Sequence, residues 1–542
     1  MSTESGPEKP PETVGASQKW SVSGRSLIQS TSVVSSMTLL SRILGLARDM
    51  VLARFFAVSM VMDAFLVANR IPNMLRRFFA EGAFSQGFVP VMARYREKHS
   101  QAEARECIDA IAGTFATILF VVTLIGVVAA PVLVAVVAPG FIGDGGDFEL
   151  ATMMLRFTFP YLFFVSLTAF AGGVLNTYGR FAVPAFTPVI LNVALIAGVY
   201  FLAPHLQEPG MALAYAVFVA GVLQLLLQIP FLMKIRALPR PRWHWRHEGV
   251  QRSVRLMLPA IFGSSVAQIN VLVGGMIASL LGVGKISLLY YSDRLMEFPL
   301  GLFGIALATV TLPYLSRQFS NDAHDEFAAT IDWSMRLVLL IATPAAAGLI
   351  VLAGPLVATI FYGGAFNADD VSMTALALQA FAIGLVGFSF VKILAPAYFA
   401  RHDTRTPVRI ALIALAVNFV LSVSLAWYLT SRGFAGNHAG LALAISVAAL
   451  VNAWLLYRGL RRDGIIRHVR GWAALIVQTL VATVAMAIVV IWMNRPLEWW
   501  LDAAVLARVS WLAAMIIAGA TVYAVVLLAL GLRVSSLGMR AQ

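Results

Sequence analysis

The chain has 542 residues, of which 59% are hydrophobic and only 12% charged, about half the ~25% charged share of an ordinary soluble domain. That composition excludes a soluble globular enzyme and points to an all-α integral membrane protein, since a membrane barrel would show weaker alternating segments. The formal charge of +13 does not make nucleic acid an expected partner, because the basic residues are scattered through short loops and build no basic domain.

Residues 1–25 are polar and rich in Ser, Glu, Pro and Gly, so the expectation is a disordered cytoplasmic tail with no secretory signal. Fourteen apolar runs follow, each near the roughly 20 residues a spanning helix needs. The first six are 31–56, 61–92, 107–137, 151–177, 184–203 and 211–233. The next six are 253–281, 286–315, 331–361, 371–399, 407–430 and 439–457, and the last two are 472–493 and 507–532. A single cysteine, Cys107, excludes an internal disulfide.

The charges test this map. With the N-terminus inside and strict alternation, 27 of the 40 Lys and Arg fall in cytoplasmic segments. Four fall outside, at Lys285, Arg432, Arg495 and Arg508. That bias matches the positive-inside rule with both termini in the cytoplasm. The outer loops are acidic, at Asp144, Asp147, Glu149, Asp369 and Asp370.

An internal repeat is also legible. Pro90 and Arg94 recur as Pro313 and Arg317, and Pro184 recurs as Pro407, each 223 residues later. Pro131 and Gly140 recur as Pro355 and Gly364 at an offset of 224. The offset equals six runs, an even number, so the two halves have the same orientation. The expected organisation is a first lobe over 26–235, a basic linker over 236–252, a second lobe over 253–460, and two further helices within 471–532. The lobes are expected to enclose a central cationic cavity.

The remaining nine cations lie inside the apolar runs: Arg42, Arg48, Arg54, Arg70, Arg76, Arg77, Arg156, Arg294 and Lys392. The internal acids are Asp49, Asp63, Glu81, Asp293 and Glu297, which leaves four positive charges in excess. A charge at the bilayer centre costs about 2.5–3.5 kcal/mol even on mild scales. These groups must therefore face a wet, protein-lined space, and an anionic substrate completes the balance. Guanidinium groups suit phosphate because they are planar, bidentate and permanently charged.

Arg42 and Asp49 are seven apart and share a helix face, with Arg48 a third of a turn away. Asp63, Arg70 and Arg77 form a second seven-spaced stripe, with Glu81 four residues on. Asp293, Arg294 and Glu297 supply the matching face in the second half. The bland alternative is that these groups brace helices against each other, or that Arg54, Arg76 and Arg77 snorkel to an interface.

Other signals point away from catalysis. GVGKIS around Lys285 lacks phosphate-loop spacing and reads as an outer turn. The eight His show no metal spacing, and no hydrolase or protease motif is present. The stretch RPRWHWRHE around Trp243 and Trp245 reads as an interfacial anchor, with anionic lipid headgroups as candidate contacts.

Four stretches carry a family resemblance: SSMTLLSRILGLARD, DAFLVANRIPNMLRRFFAEGAFSQGFVP, YYSDRLMEFPLGLFGIALATVTLP and VKILAPAYFARHDTRTPV. They resemble the MurJ (MviN) family of bacterial lipid II flippases, within the multidrug/oligosaccharidyl-lipid/polysaccharide exporter superfamily. The resemblance runs from about residue 28 to the C-terminus. It implies fourteen helices, two lobes in a V around a cationic cavity, and transport of lipid II to the outer leaflet of the bacterial inner membrane. It places the family's cavity positions on Arg42, Arg48, Asp49, Asp63, Arg76, Arg77 and Arg294, with Glu297 in the same motif. It also implies an apolar groove for the lipid tail within 472–532.

The expectation is thus a non-enzymatic, cofactor-free carrier, a monomer, with lipid II and membrane lipids as its partners. Substrate contacts are expected at Arg42, Arg48, Asp49, Asp63, Arg70, Arg76, Arg77, Arg294 and Glu297. The alternatives are a flippase for another polyprenyl-pyrophosphate-linked glycan, an ion-coupled drug antiporter and a non-transporting scaffold. Any coupling ion or use of the membrane potential is open.

Overall fold

The computed structural model describes residues 24–77, 82–98, 100–143, 147–320, 323–466 and 471–532. Glu81, Asp144 and most of the N-terminal tail lie outside the described residues. Among those described, the chain is helical without a β-strand; one isolated bridge joins Gly363 and Phe366.

The first half contains α1 (Gly24–Phe56), α2 (Met60–Arg76), α3 (Gly82–Lys98), α4 (Gln101–Val128), α5 (Ala130–Val137), α6 (Asp147–Thr158), α7 (Tyr161–Thr177), α8 (Ala182–Ala197) and α9 (Met211–Lys234). The second contains α10 (Glu248–Ser279), α11 (Lys285–Ser320), α12 (His324–Val351), α13 (Ala353–Ile360), α14 (Ala368–Ala400), α15 (Arg405–Ser431) and α16 (His438–Arg462). The C-terminal helices are α17 (Trp472–Met493), α18 (Leu497–Asp502) and α19 (Val505–Ala529).

Ten helical stretches among the described residues are long and apolar enough to cross a membrane. Helices α1, α2 and α11 carry most of the internal charge.

Several apolar runs expected to be continuous are divided, two of them at corresponding places of the repeat. The run 107–137 divides at Ala129 into α4 and α5, and 331–361 divides at Leu352 into α12 and α13. The cause is Pro131 and Pro355 just inside the short helices, since proline lacks the N–H that would continue the ladder. These breaks fall at matched places. Helices α4 and α12 both have 28 residues, and α5 and α13 both have 8. Gln101 and His324 start their helices 223 residues apart, as do Ala130 and Ala353, and Ala182 and Arg405. The offset of the sequence repeat therefore recurs in helix starts and lengths.

Within the first half, α1 packs on α8, α8 and α7 on α9, and α2 on α6. Within the second, α14 is central and packs on α11, α12 and α16, while α15 packs on α16. The halves meet where α3 packs on α10 and α2 on α11. The C-terminal pair α17 and α19 docks through α12 and α13. Its outward side is bare hydrocarbon, with Trp492 85% exposed and Leu506 80% exposed, as lipid contact requires.

Arg508 departs from the expected outer loop. It lies within the first turn of α19, is buried, and donates from Nε to the Ala503 carbonyl and from Nη1 to the Ala358 carbonyl at 2.9 and 3.0 Å. It thereby ties α19 to α13.

Helix contact in lipid depends on close backbone approach by small residues rather than on hydrophobic exclusion of water. The α14–α16 contact shows this directly. A Cβ on Gly384 would lie 2.7 Å from Ser446 Cα, and one on Gly387 would lie 2.8 Å from the Ala449 carbonyl carbon. Ser446 Oγ then donates to the Ala380 carbonyl at 2.7 Å. Gly387→Val is expected to destabilise the second half by about 1–3 kcal/mol, the usual cost of overpacking. The check is the denaturation midpoint of the purified variant in detergent against wild type.

Candidate functional site

The site is built around one carboxylate. Asp49 is completely buried in the last third of α1. Arg48 Nε and Nη2 donate to its Oδ1 at 2.9 and 2.7 Å. Arg294, from α11, donates through Nε to Oδ2 at 2.9 Å. Tyr290 Oη, one helical turn before Arg294, donates to Oδ1 at 2.8 Å. A carboxylate with this much donation is satisfied despite its burial, and breaking such a pair typically costs about 3–5 kcal/mol.

Each arginine has a second anchor. Arg48 Nη1 donates to Asn192 Oδ1 on α8 at 3.1 Å, and Asn192 Nδ2 donates back to the Ser41 carbonyl. Arg294 Nη1 donates to Glu297 Oε2 at 2.9 Å, and its guanidinium lies over the Tyr290 ring at 5.7 Å. Arg48 is nearly enclosed, with a side chain 12% exposed, whereas those of Arg294 and Glu297 are 37% and 51% exposed. Arg294 is thus fixed at one edge and open at the other.

Arg42, Arg70, Arg77 and Lys392 gather around this pair, with no carboxylate ion pair among the described residues. Arg42 is exposed and stands beside Gly301 of α11. Lys392 of α14 donates to the Leu300 carbonyl at 3.5 Å and lies within electrostatic reach of Glu297 and Arg42. Arg70 and the exposed Arg77 lie within reach of Asp293. The Arg70 guanidinium presses so closely on Gly275 of α10 that any side chain there would collide with it. Its Nη1 is buried without a hydrogen-bond partner among the described residues. Among the described residues, Arg42, Arg48, Arg70, Arg77, Arg294 and Lys392 thus stand near Asp49, Asp63, Asp293 and Glu297, six cations to four carboxylates.

Several expected members stand elsewhere. Arg42 and Asp49 share a face but make no ion pair, because Asp49 turns to its neighbour Arg48 and across to Arg294. Arg76 donates to Asn73 at 3.2 Å within its own helix. Arg54 sits at the far end of α1, where its carbonyl accepts from Ala365 N–H at 2.8 Å. Arg156 is exposed on α6, away from the group.

Asp63 is the main correction. Its spacing put it on one stripe with Arg70 and Arg77, but it makes no ion pair among the described residues. It caps the opposite half instead: the backbone N–H groups of Gly284 and Ser287 donate to its two oxygens at 2.6 and 2.7 Å, and the Ser287 hydroxyl donates to Oδ1. A carboxylate there meets the positive end of the α11 dipole and its free N–H groups. Gly284 takes φ +82° in the turn between α10 and α11, and its Cα faces Val58 too closely for a side chain. GVGKIS is therefore a tight turn whose amides bind a protein carboxylate.

Sequence reasoning missed Tyr290, Asn192 and Ser287. Only Asn192 left a signal, as a lone amide within an apolar helix. With three donors and a charged acceptor, Asp63→Ala should weaken the closure between α2 and α11 by at least 1.5 kcal/mol, roughly tenfold in population. Cysteines at Val58 and Val283, with Cys107→Ser, report it: short-reagent crosslinking should fall sharply in the Asp63→Ala background.

A multi-pass helical membrane protein with a cation-rich group between its halves is built as a carrier. A family profile described as "Lipid II flippase MurJ" matches residues 52–530, and the chain belongs to that family. "Probable lipid II flippase MurJ" of Haemophilus influenzae is 45% identical over 90% of this chain and 97% of its own length. "Lipid II flippase MurJ" of Burkholderia cenocepacia is 43% identical over 95% of this chain and 100% of its own. A solved structure described as "Lipid II flippase MurJ, inward closed conformation" superposes with a TM-score of 0.75 at 25% identity, covering 91% of this chain and 97% of that one. An inward-facing MATE multidrug transporter of the MOP superfamily shares the fold at TM-score 0.64 and 15% identity, over 80% of this chain and 98% of its own.

Proposed function

We propose that this chain is a lipid II flippase, moving the undecaprenyl-pyrophosphate-linked peptidoglycan precursor from the cytoplasmic to the periplasmic leaflet of the inner membrane. The observation that carries the reading is the surplus of cations over carboxylates around Arg48, Asp49 and Arg294, which suits a diphosphate. The names of relatives at 43–45% identity agree with it.

The architecture we infer has fourteen spans. Ten are the apolar stretches, and α1, the α2–α3 pair, α10 and α11 supply the rest. The two six-span lobes, 26–235 and 253–460, are parallel repeats joined by the linker 236–252. Both termini lie in the cytoplasm, and helices within 471–532 offer the apolar face for the lipid tail. One chain carries the whole cation group, so the working unit is a monomer.

The mechanism is alternating access. Arg294 and Arg42 present accessible guanidinium edges, and Arg48 stands behind them. A pyrophosphate neutralises like charges held apart in the empty carrier, so binding favours the state in which the halves approach around it. Asp49 and Glu297 keep the arginines oriented while the site is empty. The Asp63 cap on α11 holds the opposite ends together and must release for the site to open there. The drug-antiporter alternative fits less well, because a cationic drug needs an acidic site.

The test is depletion of the native protein in its own cells, followed by complementation with wild type, Arg48→Ala or Arg294→Ala after confirming membrane insertion. Outer-surface lipid II should be restored by wild type and be at least tenfold lower with either variant. Normal export by inserted variants would overturn the assignment.

A further inference from the structure

A second binding site lies away from the charge network. A pocket of about 480 Å³ is enclosed by α12, α14, α16 and the first turn of α17. Helix α19 contributes nothing to it, so it is separate from the face formed by the C-terminal pair. Its walls are apolar, among them Phe390, Leu394, Ala453 and Trp454, and Trp472 at the start of α17 lies towards the end marked by Arg461. Arg461 is its one charged wall residue.

Three observations identify the occupant. The first is length. Along α16 the pocket runs from Leu450 to Arg461, eleven residues or about 16 Å at 1.5 Å per residue. That matches one leaflet, half of a hydrocarbon core about 30 Å thick. A single acyl chain fits this depth, whereas a long polyprenyl tail would overrun it.

The second is charge. The neighbouring carboxylates are already engaged: Asp463 accepts from Arg401 at 3.0 Å, and Asp332 accepts from Arg336 and from the Trp472 indole, both at 2.7 Å. Arg461 is left without a carboxylate among the described residues. The third is level. Arg458 lies over the Trp454 ring at 5.3 Å and Arg336 over the Trp472 ring at 5.2 Å. Amphipathic rings paired with cations mark the headgroup boundary, so the mouth opens where phosphates lie.

We propose that this pocket holds one acyl chain of an anionic phospholipid from the leaflet in which α16 ends, with Arg461 binding its phosphate. Basic pockets between spanning helices recognise lipid headgroups in this way. The lipid bridges α14 and α16 to the start of α17 and so pins the C-terminal helices to the second half. The inference stands independently of the transported substrate.

Two of the wall residues are tryptophans, so brominated acyl chains report occupancy directly. Full-length protein is placed in nanodiscs with increasing brominated phosphatidylglycerol or phosphatidylcholine. The signal from Trp454 and Trp472 is isolated by subtracting a Trp454→Phe/Trp472→Phe variant. Wild type should be quenched at about a fivefold lower fraction of phosphatidylglycerol, given roughly 1 kcal/mol per interfacial cation. Arg461→Ala should remove that preference, and Arg461→Lys should keep it. Ala453→Phe, which fills the chain slot, should weaken the quenching and erase the difference between the two lipids, leaving only the quenching of the outward face of Trp454 by bulk lipid. Equal midpoints for the two lipids in wild type, a preference that survives Arg461→Ala, or quenching indifferent to Ala453→Phe would each overturn the proposal.

Discussion

The organisation depends on one constraint: a carboxylate cannot be buried in low dielectric unless donors surround it. Asp49 meets that constraint with Arg48 from its own helix and with Tyr290 and Arg294 from the other half of the chain. The same contacts that make the acid tolerable therefore also join the halves. This junction can be weakened by charge, because an anion arriving at Arg294 competes with Asp49 and Glu297 for the same donors. A purely apolar junction would be stronger per unit area but blind to a phosphate.

Asp63 applies the same rule to a different end of the interface. There the donors are backbone amides at the start of α11, which no substrate displaces. One contact is built from side chains beside Arg48 and Arg294, and the other from backbone amides at the start of α11. The chemical difference separates a junction that senses ligand from one that holds the empty carrier closed. It also accounts for the glycines of the α10–α11 turn, which must expose their N–H groups and admit Val58 at close range.

Much of this was legible in the sequence because the bilayer imposes simple rules. Span length, the Lys and Arg bias and the recurring proline positions each follow from lipid physics, and matched helices such as α4 with α12 carry the repeat at its sequence offset. That Arg48, Asp49, Arg294 and Glu297 are charges within apolar runs was visible. Their pairing was not. Helical spacing suggested Arg42 with Asp49, whereas the actual partner lies 245 residues away, at a distance no periodicity encodes. Asp63 was misread for a related reason: its acceptors serve main-chain donors, which carry no residue signature. Ser287 was silent because a serine hydroxyl in a spanning helix usually bonds its own backbone, and Tyr290 because a tyrosine there reads as packing.

The central claim is that the cation group recognises a lipid-linked diphosphate and carries it across the bilayer. Its most direct test is reconstitution of the purified chain into liposomes loaded with lipid II on one leaflet, scoring appearance on the other with a membrane-impermeant enzyme that cleaves the headgroup. The account predicts transfer well above protein-free liposomes, lost with Arg294→Gln in protein that remains folded. Transfer at the protein-free rate, or equal transfer by Arg294→Gln, would contradict it.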